Sequence, residues 1–332
     1  MNAQTHMADE TLQAPDVVAR MLDENRAALA AIGALYRSRN PSHFITCARG
    51  SSDHAAAYFK YLVEIALGAP CCSIGASVVS IYGARLRLRD AILVTISQSG
   101  KSPDIIALQA EAKRAGVPTI AIVNDSASPL AEAADICLPL CAGPELSVAA
   151  TKTFIASAAM SAAIVSACQD DSRMDAAIAN LPADLAEAAM LRWSEVEDVV
   201  AKAQSLYVIG RGPSLPMAQE AALKLKETSG LHAEGFSAAE VMHGPMELVT
   251  EGFPVLVFSP NDDAAATNAA SARALQDAGA RMLQPEFHAA LHPALDPITL
   301  IQTFYGSAER IARARGRNPD TPRLLKKVTR TL

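Results

Sequence analysis

Aromatic residues make up only 5% of the 332-residue chain, with a single tryptophan. A core this poor in rings must be built from aliphatic side chains and alanine, which suits helices packed closely on parallel sheets. Cysteine is also scarce: six residues, with no Cys-x-x-Cys pair. Cys137 and Cys141 have the look of half a metal site, but no Cys/His pair follows at zinc spacing. With Cys47, Cys71, Cys72 and Cys168 they read as reduced, mostly buried thiols, so no metal is expected and the expected location is cytoplasmic. Basic charge is lacking too. The formal net charge is −6 with no long basic run, which excludes nucleic acid as the main partner but not a small anionic substrate. No apolar run reaches membrane-spanning length, and Met1–His6 has neither the basic nor the apolar region of a signal peptide.

The length suggests two domains. The most informative stretch is Ala91-Ile92-Leu93-Val94-Thr95-Ile96 followed by Ser97-Gln98-Ser99-Gly100-Lys101-Ser102, with a helical pattern from Pro103. This predicts a strand, a hydroxyl-rich loop and a helix. Free N–H groups and the dipole at that helix start favour an anion. Neither a Gly-x-x-x-x-Gly-Lys-Ser/Thr nor a Gly-x-Gly-x-x-Gly accompanies the strand, so the anion is a phosphate without a nucleotide. An ordinary helix-capping loop has the same composition.

The chain also contains a repeat. Phe44-Ile45-Thr46-Cys47-Ala48-Arg49-Gly50-Ser51-Ser52 resembles Leu206-Tyr207-Val208-Ile209-Gly210-Arg211-Gly212-Pro213-Ser214. Ile92-Leu93-Val94 and Val255-Leu256-Val257 open a second matched pair at nearly the same offset. Such spacing indicates two copies of one α/β domain, each a doubly wound parallel sheet. Ligands in such sheets bind at the C-terminal strand ends. Where the first copy has the serine loop, the second has Pro260-Asn261-Asp262-Asp263, which repels phosphate. Residues 10–37 and 154–205 read as helical, with Pro182 and Trp193 as punctuation. Residues 313–332 are basic, and the plain reading is a solvated tail.

Residues Ala218–Glu247 hold the densest polar pattern. Glu220 and Lys224 lie four apart, and Lys224 and Glu227 three apart, which on its own describes an exposed helix with intrahelical ion pairs. His243 precedes Gly244-Pro245 and so sits in a turn, where it is presented to a cleft. A histidine and a carboxylate suit proton transfer. Glu145 follows Gly143-Pro144 at what reads as another helix start, with the bland role of a capping carboxylate.

Ser97-Gln98-Ser99-Gly100, Glu145 to Lys152, Ala222-Leu223-Lys224-Leu225-Lys226-Glu227, His232-Ala233-Glu234, His243-Gly244-Pro245 and the tail Pro322 to Thr329 together resemble the sugar isomerase (SIS) domain family. They are most similar to the isomerase half of glutamine–fructose-6-phosphate amidotransferase. The resemblance runs in order from about residue 40 to the end. It implies two tandem flavodoxin-like three-layer domains: a helical segment at 1–39, a phosphate-binding domain at 40–170, a linker helix at 171–200, a catalytic domain at 201–312 and a closing tail at 313–332. Asn2 follows Met1, where the amidotransferase carries a nucleophilic cysteine and a glutaminase domain, so glutamine hydrolysis is not expected.

The resemblance assigns roles to matching positions. Ser97, Gln98, Ser99 and Ser102, with Ser52 nearby, would hold the sugar phosphate. Lys101-Ser102 replaces the family's usual Glu-Thr, so Lys101 adds charge there. Glu145 and Val148 would contact the sugar. Glu227 would shuttle the proton between C1 and C2 beside Lys224. His243 would assist ring opening from the neighbouring subunit of a homodimer. Lys327 matches the tail lysine, with Lys326 one register away. The implied activity is a glucosamine-6-phosphate deaminase that needs no cofactor. An aminosugar-phosphate isomerase, a fructosamine-phosphate deglycase and a non-catalytic sugar-phosphate sensor are the alternatives.

Overall fold

The computed structural model describes residues 4–327, so Val328 and Thr329 of the tail motif lie outside the described residues. Two helices come first, α1 (His6–Glu24) and α2 (Arg26–Arg39). The single helix read over 10–37 is broken at Asn25, whose side-chain amide donates to Met21 O (2.7 Å) and Pro139 O (2.9 Å).

Among the described residues the chain divides into two compact units. One holds residues 16–144 and 152–179. Its elements are β1 (His43–Cys47), α3 (Ser51–Ala66), β2 (Cys71–Ser73), α4 (Ser77–Ser80), β3 (Ala91–Ser97), α5 (Pro103–Arg114), β4 (Thr119–Val123), α6 (Pro129–Ala133), β5 (Ile136–Pro139) and α7 (Lys152–Gln169). The strands are all parallel, in the order β2-β1-β3-β4-β5, which is the flavodoxin-like order. Every residue of β3 and β4 is buried, as expected of strands covered on both faces. Helix α7 packs on α2 and α3 and is buried almost all round, which its run of Ala, Ser and Ile permits.

The other unit holds residues up to 15, then 145–151 and 180–327. Glu145–Thr151, expected to begin a helix, is irregular backbone, because the helix starts only at Lys152. The predicted linker helix is two helices, α8 (Ser172–Met190) and α9 (Ser194–Val200), and Pro182 lies inside α8. The second sheet contains β6 (Ser205–Gly210), β7 (His232–Ser237), β8 (Pro254–Phe258) and β9 (Arg281–Leu283) in the parallel order β7-β6-β8-β9. Helices α10 (Ser214–Ser229), α11 (Ala265–Asp277) and α12 (Asp296–Ala314) connect and cover it. Gly235 on β7 lets α10 approach closely, since a Cβ there would stand 2.6 Å from Gln219 Cα. The Trp193, Phe258 and Phe304 rings pack against one another in this core.

The described segment beyond α12, residues 315–327, is anchored to its unit at several points although many of its residues are exposed. Arg315 donates to the carbonyls of Ala201, Ala203 and Ser229. The Asp320 carboxylate accepts the N–H groups of His6 (2.9 Å) and Met7 (2.8 Å), capping α1, and Asp320 O accepts from Val148 N. Among the described residues no helix is long and apolar enough to cross a membrane.

Candidate active site

In the first sheet the strand order reverses between β1 and β3, so a ligand crevice opens outside their carboxyl ends. Two segments leave the strands there: Ala48–Ser52 from β1 and the serine loop from β3. Ser97 Oγ accepts the Gly100 N–H at 3.1 Å, and Ser99 Oγ accepts the Lys101 N–H at 3.4 Å. The Gln98 and Gly100 carbonyls accept from Asn124 and Leu130. Ser97 and Ser99 therefore fix the loop's shape. The half-buried side chains of Ser52, Gln98 and Ser102 make no hydrogen bond among the described residues. Ser102 stands at the N-cap of α5 without capping it, so the plain capping-loop reading does not hold there.

Gly100 is required by two independent constraints. Its φ is +61°, and a Cβ would lie 2.0 Å from Ser128 Oγ. A Gly100→Ala variant is expected to lose about 1–3 kcal/mol of stability from the backbone strain alone. An unchanged urea midpoint would show that the loop can relax around the methyl group.

Two charges near this loop differ from expectation. Lys101 is paired with Asp125 at 2.8 Å, so its charge is already engaged. Arg49, from the Arg-Gly-x-Ser repeat, is the better cation. Its half-exposed guanidinium is held by the buried Asp104 carboxylate on the first turn of α5. The repeat was the signal for Arg49, but nothing in the sequence pointed to Asp104 as its anchor. Burial pushes the thiols of Cys47, Cys71 and Cys168 up to about 12, which keeps them protonated and unreactive. Cys72 is exposed and Cys137 and Cys141 are half-buried, so the thiols are less buried than expected. Among the described residues no His/Cys/Asp/Glu cluster is arranged to hold a metal.

The second unit gathers the other predicted residues around α10. The face carrying Glu220 and Lys224 is not exposed, as the spacing alone suggested. Their side chains are 0% and 1% accessible, because β6, β7 and α12 pack on this helix. Lys224 Nζ lies 3.4 Å from Glu220 and donates a short hydrogen bond to Glu227, whose side chain is 20% accessible. Tyr305 on α12 donates to Glu220 at 3.2 Å. Burial pulls the Lys224 ammonium pKa down, but Glu220 and Glu227, with Glu145 further out, outweigh it and raise the pKa above the ordinary value. The lysine therefore stays charged at neutral pH.

Glu227 also borders a cleft of about 670 Å³. Lys226, Arg317 and Arg323 line that cleft with Thr228 and Leu324, so the carboxylate looks out on cationic walls.

Glu145 is buried and doubly held. It accepts the Thr151 N–H at 3.0 Å and the Lys327 ammonium at 2.7 Å. Lys327 also donates to Ser147 O at 2.7 Å, which makes Lys327, and not Lys326, the tail lysine tied to this loop. Glu10, which sequence reasoning missed, accepts from the N–H groups of Leu146 and Ser147. Val148 enters through its backbone alone, donating to Asp320. Lys327→Met should free the tail while Glu145 keeps its bond to Thr151. Limited proteolysis should then cut within 317–327 several-fold faster, and an unchanged rate would mean that Asp320 alone holds the segment.

His243 stands apart. It ends a short 3₁₀ turn before Gly244-Pro245, and its exposed side chain has no hydrogen-bond partner among the described residues. Met242 and Leu248 beside it are 37% and 63% exposed.

Comparison with known proteins agrees with this arrangement. The SIS domain family model matches residues 39–167 and 200–283. A glutamine–fructose-6-phosphate aminotransferase [isomerizing] of Halobacterium salinarum is 33% identical over 316 residues, covering 88% of this chain and 52% of that protein. Its counterpart in Bradyrhizobium diazoefficiens is 33% identical over 278 residues, covering 79% and 45%. The chain thus spans about half the length of the curated relatives it matches. A crystal structure from Silicibacter pomeroyi, described as that of a phosphosugar isomerase, is 43% identical with a TM-score of 0.92, covering 96% of this chain and all of the other. The glucosamine-6-phosphate deaminase of Thermotoga maritima shares the fold at 18% identity, with a TM-score of 0.77 over 98% of this chain and all of the other. With both sheets matched in sequence and in three dimensions, the chain belongs to the SIS domain family.

Proposed function

We propose that this chain is an amino-sugar phosphate deaminase that converts glucosamine 6-phosphate into fructose 6-phosphate and ammonia. The observation that carries the reading is Glu227: a partly exposed carboxylate joined to a buried, charged lysine that is itself held by Glu220. Such a carboxylate is positioned for proton transfer, and the lysine offsets the charge that develops nearby.

The chemistry follows from the substrate. The pyranose opens to the aldehyde, and Glu227 removes the proton from C2. Returning it at C1 passes through an enolamine and gives an imine at C2. Water adds to that imine, and ammonia leaves as the C2 carbonyl forms. Ser52, Gln98 and Ser102 bind the phosphate with their unused donors, and Ser97 and Ser99 shape the loop that carries them. Lys327 contacts the open-chain sugar. Glu145 and Val148 belong to the same tail-bound loop and contact the sugar with it.

His243 assists ring opening in the site of a second copy. Its exposed position between exposed apolar neighbours supports a homodimer in which it crosses to the partner. The six free cysteines support a reducing, cytoplasmic location.

The test is an assay of the purified protein with glucosamine 6-phosphate. Equimolar ammonia and fructose 6-phosphate are expected. Fructose 6-phosphate without ammonia has no source here, so turnover of a fructosamine phosphate instead, with no ammonia from glucosamine 6-phosphate, identifies a deglycase. Saturable binding of the sugar phosphate without turnover of either identifies a sensor.

A further inference from the structure

The second sheet has a cavity of its own, one strand further along than the position that corresponds to the β1–β3 switch point of the first. A cavity of about 460 Å³ opens at the carboxyl ends of β8 and β9. Val257, Ala269, Phe287 and Leu300 give it apolar walls, while Ser259, Gln284 and Glu286 contribute the polar groups. This size and composition match sites for small molecules of monosaccharide size. Among the described residues no cationic side chain lines it.

The surroundings have more acceptors than donors. Asn268, fully buried on α11, donates to Ser259 Oγ at 3.4 Å, while its own Oδ1 is buried with no hydrogen-bond partner. Ser259 accepts that bond and keeps its proton for a ligand. Asp296 accepts the N–H groups of Asn261 (3.3 Å) and Ala290 (2.8 Å), joining the loops that leave β8 and β9. Asp184 Oδ1 meets His288 Nε2 at 3.1 Å, and its buried Oδ2 has no partner. Burial first, with Asp262 and Asp184 adding a smaller push, raises the Asp296 carboxyl to about 6. Among the described residues that line the cavity Glu286 carries the charge, which disfavours a phosphate there and favours a cation.

We infer that this cavity is a second small-molecule site, which takes a sugar-sized molecule bearing a protonated amine. Glu286 meets the ammonium group, Phe287 offers an apolar wall against which a cation can rest, and Ser259, held by Asn268, recognises a hydroxyl. The inference is independent of the reaction assigned to Glu227.

The experiment uses the full chain, with glucosamine, glucose and glucose 6-phosphate as probes at constant ionic strength. Calorimetry measures affinity and hydrogen exchange locates the site. Glucosamine is expected to bind and to protect residues 259–263 and 284–290, with glucose and glucose 6-phosphate at least ten-fold weaker. Glu286→Gln, an exposed substitution that leaves folding intact, should weaken glucosamine at least ten-fold without changing turnover of the substrate. Equal binding of glucose, no effect of Glu286→Gln, protection confined to the serine loop or to residues around Glu227, or no binding at all would each overturn the assignment.

Discussion

Glu227→Gln should lower turnover of glucosamine 6-phosphate by roughly 10²–10⁴-fold, the usual worth of a positioned proton-transfer group. The amide keeps the shape of the carboxylate and can still accept from Lys224, so sugar-phosphate binding and the thermal midpoint should stay close to those of the parent. The prediction rests on the division of labour around α10. Glu220, at 0% accessibility, anchors the lysine, while Glu227, at 20%, has the freedom to meet a ligand. The measurement is kcat by coupled fructose 6-phosphate detection beside calorimetric binding of the substrate. Activity retained within a few-fold would remove Glu227 from the chemistry. A loss of binding together with activity would make it a structural residue instead.

The second large effect concerns stability. Lys224→Met should destabilise the protein by roughly 3–5 kcal/mol, because it leaves the Glu220 carboxylate buried without a counter-charge. Glu227 contributes less to this loss, since water reaches it. Adding Glu220→Gln to Lys224→Met should recover most of the stability, because the neutral amide oxygen still accepts from Tyr305. Urea denaturation at pH 7 of the parent, the single and the double variant gives the comparison. A single variant within about 1 kcal/mol of the parent would mean that Glu220 takes up a proton cheaply, contrary to its tight pairing. The sign of the pH dependence follows from the same group. The folded-state pKa of Lys224 is raised, so its contribution is complete below the ordinary lysine value and is lost only as pH climbs through the raised one. The ion pair is therefore intact throughout the neutral range.

The strands and the serine loop were legible because they are local. A β-branched run, a hydroxyl-rich turn and Pro103 at a helix start specify their structure without help from the rest of the chain. The duplication was legible because both copies keep Arg-Gly-x-Ser after a strand. The state of the Glu220–Lys224 pair was not. An i, i+4 pair has one spacing whether it faces water or the core, and here the answer comes from Tyr305, 85 positions away. Glu145 misled for a similar reason. Its position after Gly143-Pro144 suits a helix cap, but its carboxylate is taken by Thr151 and by Lys327, 182 positions on, and the backbone between Glu145 and Lys152 stays irregular. Lys101 looked like a free charge because Asp125 lies beyond the next strand in sequence.

The cap on α1 reaches beyond the site. His6 and Asp320 are 314 positions apart, yet the second supplies the hydrogen bond that starts the first helix. On the ribosome, α1 must wait for its native cap until residue 320 has emerged, so this part of the second unit closes only after both sheets have been made. The same contact secures the start of α1 and the segment after α12 as one piece, so loosening either one exposes the other.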